Sequence, residues 1–335
     1  MQLHDLERVM RENDLITYAY SYYLNRMPRL LSAEMVEDLA RACSLPPHEA
    51  FLSLFTAACG FSPDENPDHR ALEREYIRGG VSRLDPAVYE NDPYYRTVKF
   101  TDRALGRWEM RESLYAPYEP FVRTHPRVTK SLREIPQIGY FDREFRFPAI
   151  LENGVEWMTV TPNEVETMRE PIAKSHGRVL TLGLGLGYFA FSAAERDEVE
   201  SVTVVERDAD VIALFEQHIL PQFPNGQKIR IVRDDALGYL EKKAPALAFD
   251  SIFADLWHDQ SDGLPLYLRL RRIEREKRLT GVDYWIEPTL LSTLRHMVFD
   301  RLTDSDAPMR LDGVDPYTLL SDEFLRSLAP DLRAT

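Results

Sequence analysis

Residues 179–191, VLTLGLGLGYFAF, decide the fold. An apolar run with β-branched members leads into three alternating glycines, Gly183, Gly185 and Gly187, and then into a segment of helical character. A strand that turns into a helix over residues without side chains lets a ligand lie directly on the backbone, close to the amides of the helix N-terminus. In an α/β chain that is a nucleotide-type site. A glycine-rich turn alone says little; the spacing of the strands beyond it is decisive.

The segment SVTVVERD (201–208) reads as a second strand, apolar at Val202, Val204 and Val205 and ending in Glu206. A carboxylate about 20 residues beyond a glycine loop, at the tip of the next parallel strand, is placed to accept both hydroxyls of a ribose. KIRIVRDDALGYL (228–240) supplies a third strand that ends in Asp234-Asp235 before a helix start, and FDSIFADLWHD (249–259) a fourth that ends in Asp255. Strands alternating with helix-length segments predict an α/β fold with a doubly wound, mostly parallel sheet and ligands outside the carboxyl ends of its strands. The dinucleotide fingerprint needs a glycine at position 188, which is Tyr188, and no Lys-Ser or Lys-Thr follows the loop to grip phosphates.

This series resembles the class I methyltransferases that use S-adenosylmethionine, over roughly residues 155–300, and within that superfamily the spermidine-synthase-like branch. The resemblance implies that Gly183, Gly185 and Gly187 pass under the methionine part of the cofactor and that Glu206 binds its ribose. It implies that Asp235 and Ala236 flank the adenine and that Asp255 stands next to the reacting centre. The family's first motif usually opens with an acid two positions before the first glycine; Thr181 stands there.

DLWHDQSDG (255–263) is the expected seat of the chemistry. Transfer from a sulfonium to a nucleophile is an in-line displacement, so the protein must align the partners, take up a proton and exclude water. Asp255 and His258 are the candidates for proton handling, with Trp257 and Asp259 as substrate contacts. Carboxylates beside an aromatic face suit an amine. No metal site is expected from His258, Asp259 and Asp262. Enzymes that methylate amino groups of nucleic acids carry two prolines within the unit occupied here by Asp255–His258, and those prolines are absent. The spermidine synthase pattern of this loop, with adjacent Ser and Asp and a Pro, is matched poorly. The expected function is methyl transfer from S-adenosylmethionine to a small, amine-bearing acceptor. The alternatives are aminopropyl transfer from the decarboxylated cofactor, and a non-catalytic cofactor-binding scaffold.

Composition sets the bounds. The chain has 335 residues, 44% hydrophobic and 29% charged, with a net charge of −14. That length suggests two domains, and the charge disfavours nucleic acid as a partner. Cys43 and Cys59 are the only cysteines, and MQLHDLERVM carries no signal-peptide pattern, so a reduced, cytoplasmic protein without membrane association is expected. Residues 1–90 read as an N-terminal helical domain. Ser32 is an N-cap and Leu31 can staple against Val36, while a second helix opens at Pro46 or Pro47 and stops at Gly60. The two helices invite a helix-turn-helix reading, but PPHEAFLSLFTAAC has no Lys or Arg for a phosphate backbone; a packing cap, or one that builds a homo-oligomer, fits better.

Residues 91–160 read as a small β segment, with strands expected in YYRTVKF, GRWEMRESLY, PQIGYFDREFRF and the stretch ending EWMTV. Residues 161–335 form the expected cofactor-binding domain. Thr161, Pro162 and Glu164 signal a capped helix start, with Glu164 either a cap or a ligand to the cofactor's amino group, and Trp157 and Met158 near the same pocket. LYLRLRRIEREKR (266–278) reads as a helix with a solvated basic face. DYWIEP (283–288) reads as a further strand before a helix, and 304–335 as a loose tail with one short helix.

Overall fold

The computed structural model describes residues 3–303 and 315–333, which fall into two compact units. One joins residues 1–88 with 114–146, and the other joins 89–113 with 147–335. The strands of 91–160 are therefore shared between the units.

The first unit carries three long helices, Leu3–Arg26, Ala33–Cys43 and Pro47–Ala58. Their ends follow local chemistry. Ser32 Oγ accepts the Met35 N–H at 3.3 Å, Pro47 opens the third helix, and Gly60 follows its end at φ +85°. Tyr23, Phe51, Phe55, Tyr76 and Tyr140 are fully buried and give this unit an aromatic core. Beside it lies a three-stranded sheet with Glu134–Tyr140 between Val81–Arg83 and Phe121–Val128. The last of these escapes the sequence pattern because Pro126 interrupts it. An edge position and two register shifts accommodate the proline.

The second unit contains two sheets. Arg103–Leu105, Trp108–Tyr115, Phe145–Glu152 and Val155–Thr159 form a four-stranded sheet in chain order, whose strands lie in this unit except at 114–115 and 145–146. YYRTVKF is not a strand. Asp92 Oδ1 accepts the Tyr94 N–H at 2.9 Å and Pro93 fills the first helical position, so Pro93–Thr97 is a short helix. Aspartate followed by proline is a helix-start signal that outweighs the β propensity of two tyrosines and a valine.

The second sheet is wholly parallel. Its strands are β1 (Gly177–Leu182), β2 (Val199–Glu206), β3 (Ile229–Arg233), β4 (Ser251–Ala254) and β5 (Val282–Tyr284), paired in the order β3-β2-β1-β4-β5. Between and around them run α1 (Pro162–Lys174), α2 (Tyr188–Ala194), α3 (Ala209–Leu214), α4 (Ala236–Lys242), α5 (Gln260–Lys277) and α6 (Glu287–Thr303). The central strands are buried on both faces, which is why VLTL and SIFA read as unbroken rather than alternating apolar runs. This is the doubly wound α/β architecture that the glycine loop and the strand-end acids predict.

The basic face of α5 is left to solvent only in part: Arg269 and Lys277 are exposed, while Arg271 and Arg272 are half-buried. Arg271 donates to the Arg326 carbonyl at 3.2 Å, and Arg272 donates to the Pro330 and Leu332 carbonyls. Arg275 donates to the Pro330 carbonyl and pairs with Asp331 at 2.8 Å. Helical periodicity gives no sign of this, because the acceptors are backbone carbonyls some 55–60 residues onward. Of the expected tail, 304–314 and 334–335 lie outside the described residues. Within 315–333, Pro316–Leu319 and Asp322–Leu328 are helical. Among the described residues no helix is long and apolar enough to cross a membrane.

Arg295 of α6 has no exposed surface, donates to the Leu320 carbonyl at 2.8 Å and pairs with Asp322. Arg295→Ala strands the buried carbonyl and removes a buried cation's partnership. The expected loss is roughly 2–4 kcal/mol in urea unfolding, with faster proteolysis within 315–333 than elsewhere. Uniform proteolytic sensitivity would contradict this anchoring role.

Candidate functional site

The sheet order places the switch point between β1 and β4, where helices leave for opposite faces and ligands of such sheets bind. The glycine loop follows β1 and Asp255 follows β4, so topology alone makes them neighbours. The approach is backbone on backbone. A Cβ at Gly183, where φ is +96°, would collide with the Asp255 carbonyl oxygen, and one at Gly187 would run into the Phe215 ring. At Gly185 the added atom would meet nothing within 4 Å, because that residue faces open space. The N–H groups of Gly185 and Leu186 make no hydrogen bond among the described residues.

That open space is a cavity of about 270 Å³ within the second unit. Its floor is Thr181 and the loop from Gly183 to Leu186, and its sides include Tyr188, Phe189, Phe253, Trp257 and Trp285. Glu156–Val160, Glu164, Met168, Ala190, Asp255 and His258 complete it. Among the described residues no lysine or arginine lines it, whereas Glu156, Glu164 and Asp255 do.

Asp255 is the unusual member. Its carboxylate has no hydrogen bond or ion pair among the described residues. Burial pushes its carboxyl up to about 8, and the negative charges of Glu164 and Glu206 add to the shift. Glu164 does form the expected capping box. It accepts from the Thr161 N–H at 2.7 Å and the Thr161 hydroxyl, while Oε1 accepts from the Thr159 hydroxyl at 2.9 Å. Burial raises its carboxyl too, against the lowering effect of those bonds. It is therefore both a cap and a cavity wall.

The other expected residues divide. Gly183, Gly185, Asp255, Trp257 and His258 converge on the cavity, as do Trp157 and Met158. Trp257 is buried, packs against Gly263, and its indole N–H has no partner among the described residues. His258 is exposed, stacks on Trp157 at 5.2 Å between ring centres, and sets Nδ1 3.2 Å from the Trp157 carbonyl. Gly187 does not line the cavity but turns the loop into α2 at φ +78°.

Glu206 lies just outside, with Oε2 accepting the Leu184 N–H at 3.3 Å and Oε1 those of Arg207 and Asp208. Asp235 and Ala236 do not line the cavity, and Asp235 caps α4 by accepting the Gly238 N–H at 2.7 Å. Asp259, expected to touch substrate, instead caps α5. Its carboxylate accepts from the Ser261 N–H and hydroxyl, each at 2.6 Å, in a box completed by Asp262. Burial works to raise the Asp259 carboxyl, but these bonds prevail and hold it low. A capping box reads in sequence much like a cluster of free carboxylates, which explains the difference. Trp285, Tyr188, Phe253 and Met168 join the lining unannounced, since buried aromatic and thioether side chains carry no sequence mark that separates cavity from core. Among the described residues no group of three or more His, Cys, Asp or Glu side chains is placed to hold a metal ion.

No family model matches the chain, and no curated protein does. Similar solved structures include a spermidine synthase from Thermotoga maritima, 16% identical, over 45% of this chain and 60% of that one, with a TM-score of 0.33. Another is a spermidine synthase in complex with the transition state analogue AdoDATO, at 20% identity over 37% and 47% of the two chains and a TM-score of 0.29. A third is a protein from Streptococcus mutans provisionally named as a SAM-dependent methyltransferase, at 17% identity over 51% and 50% and a TM-score of 0.33. The chain thus spans about half to three-fifths of the structures it matches. The wholly parallel five-stranded sheet, with its order reversing between β1 and β4, makes the fold Rossmann-like.

The glycines and the half-buried acid can each be tested. Gly183→Ala is expected to cost about 3 kcal/mol or more in urea unfolding, from a disfavoured φ and a backbone collision. Gly185→Ala meets no atom and is expected to cost only the left-handed conformation, about 1–2 kcal/mol. Equal losses would contradict this division of roles.

The folded Asp255 carboxyl holds its proton between its ordinary value and about 8, where the unfolded chain has released it. Its contribution to stability therefore falls as pH rises through that window and is flat above it. Asp255→Asn lacks this dependence. It should match the parent near pH 4 and exceed it by a few kcal/mol above pH 8. A difference that does not change with pH would show that the carboxyl titrates normally.

Proposed function

We propose that the cavity binds a sulfonium nucleoside of the S-adenosylmethionine type and that the protein transfers its methyl group to a small, amine-bearing acceptor. One observation carries this: an open glycine cradle at Gly185 and a carboxylate without a partner, Asp255, share one cavity. The residues fit such a ligand. Gly185 leaves room where a side chain would stand, the Gly185 and Leu186 amides have no partner among the described residues, and the walls offer carboxylates and aromatic faces to a cation.

When bound, the sulfonium supplies an electrophilic carbon and a neutral thioether leaving group. In this reading the loop from Gly183 to Gly187 supports the ligand from below. Glu206 serves the ribose from the end of β2, and Asp235 and Ala236 serve the adenine from the end of β3, where Asp235 Oδ1 is left over by the α4 cap. Asp255, with its carboxyl raised to about 8, is far better matched than an ordinary carboxylate to taking a proton from an ammonium group. His258 stands where that proton could pass outward, with Nδ1 held by Trp157. Trp257 and Trp157 supply the faces for a cationic acceptor, and the buried walls exclude water from the transfer.

A second reading has an observation of its own. The methionine carboxylate would find no lysine or arginine in the lining, whereas the decarboxylated cofactor, with an amine alone at that end, would meet Glu156, Glu164 and Asp255. That favours aminopropyl transfer.

The test is calorimetric binding of S-adenosylmethionine, its demethylated product and the decarboxylated cofactor, followed by transfer of a labelled methyl group to a panel of amines. The first two ligands should bind, and at about 100 times Kd should stabilise the fold by roughly 2.7 kcal/mol. Affinity for the cationic ligand should rise with pH as Asp255 ionises, level off near 8, and lose that slope in Asp255→Asn. Preference for the decarboxylated form would select the second reading. Binding without transfer to any amine would leave a non-catalytic scaffold, and no binding at all would end the proposal.

A further inference from the structure

A five-residue helix outside the sheet reaches three residues of the cavity wall through side-chain hydrogen bonds. Asp92, which caps Pro93–Thr97, accepts from the Tyr188 hydroxyl at 3.0 Å. The Tyr94 hydroxyl donates to the Leu186 carbonyl at 2.7 Å, and the Tyr95 hydroxyl donates to the Val160 carbonyl. Leu186 belongs to the glycine loop and Tyr188 to the first turn of α2, while Val160 follows the strand that carries Trp157. All three line the cavity.

These bonds bear on the part of the site with least conformational restraint. Three glycines at positive φ leave the loop many alternatives to its observed path. The peptide between Leu186 and Gly187 is nevertheless fixed at both ends. Its carbonyl accepts from Tyr94, and its N–H donates to the Leu184 carbonyl at 2.9 Å. Tyr94 is itself tightly packed. It has no exposed surface, and its ring meets the edges of Tyr188 at 5.5 Å, Phe191 at 5.4 Å and Phe223 at 6.2 Å. The ring alone would satisfy that packing, so the hydroxyl's distinct contribution is to the loop.

We propose that Asp92, Tyr94 and Tyr95 are positioning residues that clamp the glycine loop to the wall at Val160 and hold the cavity in its ligand-ready form before binding. Pre-set geometry raises affinity by removing the ordering that binding would otherwise require. The inference rests on the sulfonium-nucleoside reading only for the identity of the probe.

The test compares Tyr94→Phe and Tyr95→Phe with Tyr89→Phe. Tyr89 lies in the same segment and is likewise buried, and its hydroxyl donates to Glu166 at 3.2 Å, a residue that does not line the cavity. Amide hydrogen exchange of the ligand-free proteins is read at Gly185–Tyr188, and the Kd of S-adenosylmethionine by calorimetry. Tyr94→Phe should speed exchange there and weaken binding roughly five- to tenfold, the weight of one buried hydrogen bond. Tyr95→Phe should weaken binding similarly with a smaller effect on exchange. Tyr89→Phe should lower Tm by a comparable amount yet leave both readouts within about twofold. Equal effects from Tyr89→Phe and Tyr94→Phe, or none from Tyr94→Phe, would overturn the clamp. If the parent binds no S-adenosylmethionine, the proposed function falls and exchange alone decides the clamp.

Discussion

The close passage of the β1 loop beneath the end of β4 is the constraint on which the site depends. Gly183 runs so near the Asp255 carbonyl that no side chain fits between them. Adjacent parallel strands are spaced about 4.8 Å apart, so the loops leaving them can be this close only if one lacks a Cβ. That contact fixes the direction in which Asp255 leaves the sheet, and with it the segment that carries Trp257 and His258. Gly185, two residues further on in the turn, opens onto the cavity. A single steric fact thus sets the position of the acid beside the cradle.

The electrostatics of the cavity follow from where that acid is left. A buried carboxylate normally finds a cation or several N–H donors. Several donors near this cavity serve other acceptors: the Leu184 N–H goes to Glu206, the Thr161 and Thr159 groups to Glu164, and the Ser261 groups to Asp259. Among the described residues Asp255 receives none of them, and the charges that act on it are negative. Such an arrangement costs the free protein stability at neutral pH and above, and the same unmet charge attracts a positive ligand. Capped and uncapped carboxylates lie within ten residues of one another in this chain, and their chemistry differs accordingly.

Much of this was legible in the residues. The sheet, its direction and the strand-end acids could be read from glycine spacing and apolar runs, because backbone constraints leave few alternatives at those positions. The capping box at Thr161 and Glu164 was equally plain. The features that could not be read depended on partners that pattern alone does not name, most of them long-range. The arginines of α5 look like a solvated stripe until the carbonyls of 326–332 are laid on them. Asp259 looks like a substrate ligand until the helix that follows it takes up its oxygens. Pro126 looks like a break until an edge strand with shifted register admits it.

The segment YYRTVKF, a strand by pattern and a helix in fact, is the most instructive of these. As a strand its tyrosines would alternate between two faces, with no reason for both hydroxyls to reach one site. As a helix begun by Asp92 and Pro93, it projects Tyr94 and Tyr95 in different directions from one turn, one to the glycine loop and one to Val160. A helix this short has little stability of its own. It is held by the buried Tyr94 ring and by the bonds it makes to the cavity wall, so its order and the loop's order are the same event. The rigidity of a glycine loop, whose own sequence provides none, is therefore supplied from a segment about 90 residues earlier in the chain.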